Sequence, residues 1–225
     1  MLTMILRRTA MALLVAAAMP AAAATTFKVD PDAGRNQFTA IFDSAVGERI
    51  TAVSSQVGCT LTVDEEKLEG SATCSVPLAG IRVDNDDTKS DHFRQWATNK
   101  KVDPSACRIE LELPAVKLPK PIEPGKAVTV DAKGTFTVCG RSRDDKGAES
   151  IHVTVTYVPP ATPEAPRLLR IRAHVTGFDR ERYGVSPKRT EGWLARVQQL
   201  ADVVATEGTI DVSLFALDTG KGATP

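Results

Sequence analysis

Residues 107–140 read CRIELELPAVKLPKPIEPGKAVTVDAKGTFTVCG, and the alternation within them decides the fold. Ile109, Leu111 and Leu113 take every second position, with Glu110 and Glu112 between them. After a loop carrying Pro119, Pro121, Pro124 and Gly125 the pattern resumes. Val128, Val130, Phe136 and Val138 then share one parity, and Asp131 and Lys133 the other. Successive side chains of a strand point to opposite faces, so a period of two describes a ribbon dry on one side and wet on the other. The Pro/Gly-rich loop between two such ribbons marks an antiparallel hairpin.

The same parity extends along the chain. Ile151, Val153, Val155 and Tyr157 continue the dry face, as do Leu169, Ile171, Ala173 and Val175, then Ile210, Val212 and Leu214. His152, Arg170, Arg172 and Asp211 continue the wet one. Eight strand-like segments result: 37–42, 50–63, 71–81, 107–118, 127–140, 151–158, 168–177 and 209–217. Even spacing without a β–α–β rhythm argues for an antiparallel all-β architecture. One wet face per strand fits a closed eight-stranded barrel and a sandwich alike. Ala40, Ala132, Gly134, Ala173 and Ala216 fall on the dry face. Small residues there describe either a tapering, filled core or room for a ligand.

One stretch breaks the alternation. KSDHFRQWATNKKVDP (89–104) places Phe93 and Trp96 three apart, after Asp84, Asp86 and Asp87 and before Lys100 and Lys101. Acids near the start and bases near the end suit the macrodipole of one short helix. The run DNDD (84–87) resembles the opening of a calcium loop, but the glycine and closing glutamate such a loop needs are missing.

Arg7 and Arg8, the apolar run Ala10–Met19 and the small residues Ala21–Ala24 read as a secretory signal peptide, residues 1–24. It is too short and wrongly flanked for a membrane span. Residues 25–217 are expected to form the barrel domain and 218–225 a flexible tail. The leader takes two of the 28 basic residues and none of the 28 acidic ones, leaving a net charge near −2. That balance gives no electrostatic reason to bind nucleic acid or an anionic membrane and names no protein partner. No later apolar run is long enough for an integral membrane segment. Cys59 and Cys74 flank the turn DEEKLEG (64–70) symmetrically, and Cys107 and Cys139 flank the loop at 118–126. Simple hairpins therefore pair Cys59 with Cys74 and Cys107 with Cys139 as disulfides in an oxidising compartment.

No GxSxG, HExxH, GxGxxG, P-loop or SxxK motif occurs. His92, His152 and His174 are scattered singly, the last two on wet parity. A nucleophile pair of Cys139 with a histidine is conceivable, but a disulfide accounts for Cys139 more simply. The residues imply no cofactor and no metal.

Several segments carry a family likeness. FKVDPDAGRNQFTAIF (27–42) is similar to an opening strand of the form Y-x-I-D-P-x-H-S-x-V-x-F. Lys89, Ser90, His92, Phe93 and Pro104 match an R-D-x-H-L … P segment, and GTFTVCG (134–140) resembles G-x-L-T-L-H-G. RYGV (182–185) with a valine-rich strand after it is similar to a closing D-F-G-V … V-x-I-x-V. Together they resemble the YceI-like family, exported bacterial β-barrels that bind polyisoprenoids or other lipids. The chain departs from that pattern at Asn36, at Lys89–Ser90, at Cys139 and in a longer loop, 186–203.

The resemblance implies an extended eight-stranded antiparallel lipocalin-like β-barrel interrupted by one short helix. It implies a periplasmic, non-enzymatic carrier or sequestering protein with a polyisoprenoid or other long-chain lipid along its interior. Phe38, Phe42, Phe136, Val138, Val153 and Val155 would form the wall, Phe93 and Trp96 would turn inward at one end, and Lys89 and His92 would meet a headgroup at the rim. The alternative is a structural or partner-interaction barrel with a filled core. The long loop and RSRDDKGAES (141–150) would then be its extras, with Trp193, Leu194, Val197 and Leu200, at helical spacing in the loop, docking a partner or capping the barrel. An enzyme using Cys139 or His92 on a bound lipid is the third reading.

Overall fold

The computed structural model describes residues 24–31, 35–98, 102–163, 165–186 and 204–221. Within them are twelve strands and one α-helix. The strands are β1 (Thr25–Val29), β2 (Gln37–Ser44), β3 (Arg49–Ser54), β4 (Gly58–Asp64), β5 (Glu69–Pro77), β6 (Arg82–Val83), β7 (Arg108–Lys117), β8 (Ala127–Val138), β9 (Arg141–Ser142), β10 (Glu149–Val158), β11 (Leu168–Asp179) and β12 (Val204–Lys221). Helix α1 (Asp87–Thr98) separates β6 from β7. The signal-peptide reading, apart from Ala24, and nearly all of the long loop fall outside the described residues, including Trp193, Leu194, Val197 and Leu200. No helix among the described residues is long and apolar enough to cross a membrane.

Eight strands close a ring in the order β1, β4, β5, β7, β8, β10, β11, β12, each antiparallel to its neighbours, with β12 returning to β1. This is a barrel and not a sandwich. The parity read from the sequence holds on the ring: Val128, Phe136, Val138, Ile151, Val153, Val155, Leu169 and Ile171 are buried. Glu110, Glu112, Asp131, Lys133, His152, Arg170, Arg172 and Asp211 are exposed. His152 and His174 each bond through Nδ1 to an aspartate on the next strand, Asp131 at 2.8 Å and Asp211 at 2.7 Å.

Three differences from the sequence reading matter. The segment 50–63 is two strands, not one. Ser54 Oγ accepts the Gln56 N–H at 3.1 Å and the Ser55 carbonyl accepts the Val57 N–H at 3.0 Å, which turns the chain between β3 and β4. The turn transfers the chain from a flap, β2–β3–β6, onto the ring. Second, β1, β6 and β9 lie outside the eight segments. β6 and β9 are two residues long, too short to show a period, and their pairing partners define them, whereas β1 alternates, with Thr25, Phe27 and Val29 buried, at the start of the stretch likened to an opening strand. Third, the last strand runs from Val204 to Lys221, beyond the expected 209–217, so part of the expected tail from residue 218 pairs with β1 through Phe27 opposite Asp218.

That length lets β12 serve two neighbours on one edge. Its residues 216–221 pair with β1, and residues 208–213 pair with β2. Asn36, 3 % exposed, spans the break between them: its Nδ2 donates to the Asp30 carbonyl at 2.7 Å and its Oδ1 accepts the Phe215 N–H at 3.0 Å. One side chain thus supplies the ladder bonds that the interrupted edge omits. Asn36→Ala should cost about 1–3 kcal/mol, the usual penalty for leaving a buried polar group unpaired, measurable as a lower denaturant midpoint at unchanged slope.

Both expected disulfides are present, Cys59–Cys74 and Cys107–Cys139. Cys59 and Cys74 face each other across β4 and β5. The second pair arises differently, because Ile109 lies opposite Val138 and puts the cysteines one residue off simple register. Cys139 makes up the difference by turning to φ 50° just past β8.

Candidate ligand-binding site

The helix is positioned by the acidic run that precedes it. Asp86 Oδ1 accepts the Lys89 N–H at 2.8 Å, an N-cap for α1. Asp84 accepts the Thr51 N–H and the Lys89 ammonium, both at 2.8 Å, and Asp87 pairs with Arg82 at 3.0 Å. Each of these aspartates is committed to holding the helix on the flap. Ser90, fully buried, donates to the Asp86 carbonyl and accepts the Val83 N–H. Lys100 and Lys101, expected at the other end, lie outside the described residues, and the last turn of α1 contains no base. Arg141 takes that part, donating to the Ala97 carbonyl and, at 2.9 Å, to that of Tyr183.

Held this way, the helix roofs a space between flap and barrel. Two adjoining apolar cavities result. The inner one, about 120 Å³, lies within the ring and is lined by Phe38, Phe136, Val153 and Val155 with Leu111, Val130, Ile171 and Leu214. The outer one, about 460 Å³, lies under α1 and is lined by Phe38, Phe42, Phe93, Trp96 and Val138 with Ala52, Phe178 and Arg180. Lys89 and His92 line the outer cavity and are exposed at its rim, beside Glu48 and Val46. The six expected wall residues, the two expected inward aromatics and the two expected rim residues therefore line one cavity or the other. The Lys89 ammonium is tied to Asp84, whose hydrogen bond raises its pKa, and keeps only part of its bonding capacity for a ligand.

The far end of the barrel is bridged. Arg167 donates to Asp218 at 2.8 Å, Glu65 at 2.7 Å and Thr25 Oγ1 at 2.9 Å, and its guanidinium lies 5.5 Å from the Phe27 ring centre.

Two buried charged residues around the site escaped sequence reading. Arg180, 6 % exposed, reaches into the outer wall, donating to the carbonyls of Val185, Val204 and Ala205 and lying 5.9 Å from the Trp96 ring centre. Nothing in DRERYGV distinguishes it from a surface arginine. The other is Glu149, buried on the inward parity of β10, where its place two residues before Ile151 was a visible signal. The segment 141–150 is tied down here: Arg143 reaches Glu149 at 3.0 Å and Asp145 at 2.7 Å. The Tyr183 hydroxyl donates to Glu149 at 2.7 Å. Burial, and then that bond, push the Tyr183 phenol well above its ordinary range. Its ring stacks on Phe178 at 4.8 Å, and Phe178 meets Phe136 edge-on at 5.5 Å, which joins the walls of the two cavities. Tyr183→Phe should cost about 2 kcal/mol, as expected for a hydrogen bond to a buried charged group, and should lower the thermal midpoint.

Comparison with known proteins follows the same architecture. No protein-family model and no curated protein matches the chain. A solved polyisoprenoid binding domain from Saccharophagus degradans, implicated in plant cell wall breakdown, superposes with a TM-score of 0.55 at 14 % identity, covering 87 % of this chain and 99 % of that one. The likeness is one of fold. It spans nearly the whole of the neighbour, itself described as a binding domain.

Proposed function

We propose that this protein is a periplasmic carrier or sequestering protein that holds a polyisoprenoid or similar amphiphilic lipid inside its barrel. The observation that carries the reading is the pair of adjoining apolar cavities, one within the ring and one under the helix, walled by the inward strand faces and, in the outer one, by Phe93 and Trp96. Each buried CH₂ is worth about 0.8 kcal/mol, so a tail in such a space needs few polar contacts to be held tightly. The fold neighbour's polyisoprenoid binding favours this ligand class. The two disulfides suit an oxidising compartment and agree with reading residues 1–24 as an export leader and the residues after it as one lipid-binding domain.

Native mass spectrometry of protein purified from a bacterial periplasm, followed by extraction of the bound fraction, tests the proposal. A stoichiometric isoprenoid or quinone-like adduct is expected. A clean unliganded mass that takes up no added polyprenyl lipid would move the function to protein-partner binding.

A further inference from the structure

The two cavities meet at a shared wall. Phe38, Ile109 and Ile210 line both, which places these three side chains at the junction. Two of them come from the ring, on β7 and β12. Phe38 comes from β2 of the flap and is the bulkiest, 3 % exposed and held opposite Val212 on one side and Ser54 on the other. We infer that Phe38 partitions the interior and sets the length of the hydrocarbon chain the protein accepts, an inference that rests on the lipid-binding reading above.

The cavity sizes give the length. An apolar cavity of about 150 Å³ holds one benzene, roughly six carbons. On that scale the inner cavity, about 120 Å³, takes about one five-carbon isoprene unit. The outer cavity, about 460 Å³, takes roughly eighteen carbons. A chain entering beside Lys89 and His92 fills the outer cavity first, and its tip reaches the inner one only past Phe38. The ligand class is therefore an amphiphile with about 20–25 carbons of chain, and longer chains leave their excess in water.

The test is competitive retention of prenyl alcohols of about 10, 20, 30 and 40 carbons, read by native mass spectrometry on wild type, Phe38→Leu and Phe38→Trp. Wild type should retain the 20-carbon alcohol at least about tenfold better than the 10-carbon one and gain little beyond about 25 carbons. Phe38→Leu should move the preference to longer chains and Phe38→Trp to shorter ones. Leucine keeps the site apolar, and circular dichroism on both variants confirms that a change reflects the site and not unfolding. Equal retention of all lengths by wild type, or an unchanged profile in both folded variants, overturns the partition while leaving lipid binding intact. Retention of none of the alcohols by wild type overturns the lipid reading and the partition with it.

Discussion

Reducing both disulfides should lower the thermal midpoint by roughly 15–25 °C, the largest stability change expected from any simple treatment of this protein. Cys59–Cys74 joins residues 15 apart in sequence and Cys107–Cys139 residues 32 apart. On the chain-entropy account those loops are worth about 3 and about 4 kcal/mol, a sum comparable to the entire net stability of many domains. The location sharpens the effect. One bond ties β4 to β5 and the other ties the ends of β7 and β8, so four consecutive ring strands are stapled in pairs. Cys59 and Cys107 are buried, and a free thiol is tolerated there. The loss on reduction is therefore the freedom returned to the unfolded chain. Calorimetry with and without reductant measures it, and non-reducing peptide mapping should recover the two pairs. A midpoint unmoved by reduction would mean that the ladder alone carries the barrel.

Val155→Trp, or Val153→Trp, should lower lipid retention about thousandfold while the protein stays folded. Both valines line the inner cavity from β10, and Val153 lies between Val130 on β8 and Ala173 on β11, which line it as well. An indole there occupies the space that a five-carbon unit would fill. Five carbons at about 0.8 kcal/mol each amount to about 4 kcal/mol, three powers of ten in affinity. Folding is tested by circular dichroism and retention by mass spectrometry of the lipid-loaded protein. Unchanged retention in both variants would place the ligand elsewhere.

Much of the ring was legible in the sequence because its rule is local. A strand wet on one face writes that face into every second residue, so β7, β8, β10 and β11 could be assigned their inward residues one by one. The Cys59–Cys74 pair and the start of the helix were legible too, since hairpin symmetry and the acidic run before α1 are both short-range patterns, whereas Cys107–Cys139 forms one residue off that symmetry through the turn at Cys139. What the sequence hid depends on partners far along the chain. A two-residue strand such as β6 exists only because β3 lies beside it. Asn36 accepts from the Phe215 N–H and Arg180 donates to the Val204 and Ala205 carbonyls, all on β12, and nothing near either residue announces these bonds. Phe38 could be assigned to the dry face, but its place between two cavities follows from the flap, which appears only once 50–63 is seen to be two strands.

The sharing of β12 between ring and flap also sets an order of assembly. The strand completes the ring by pairing with β1, near the opposite end of the sequence, and holds the flap by pairing with β2. Neither the barrel nor the roof over its mouth can close until this last strand has been synthesised. Until then the growing chain has hairpins but no sealed interior, and contacts of such long sequence separation form slowly. On the proposal that the protein is exported to hold a lipid, a chain delayed in this way stays threadable for longer, as passage through a membrane channel requires, and closes its interior only once all of its strands are on the same side.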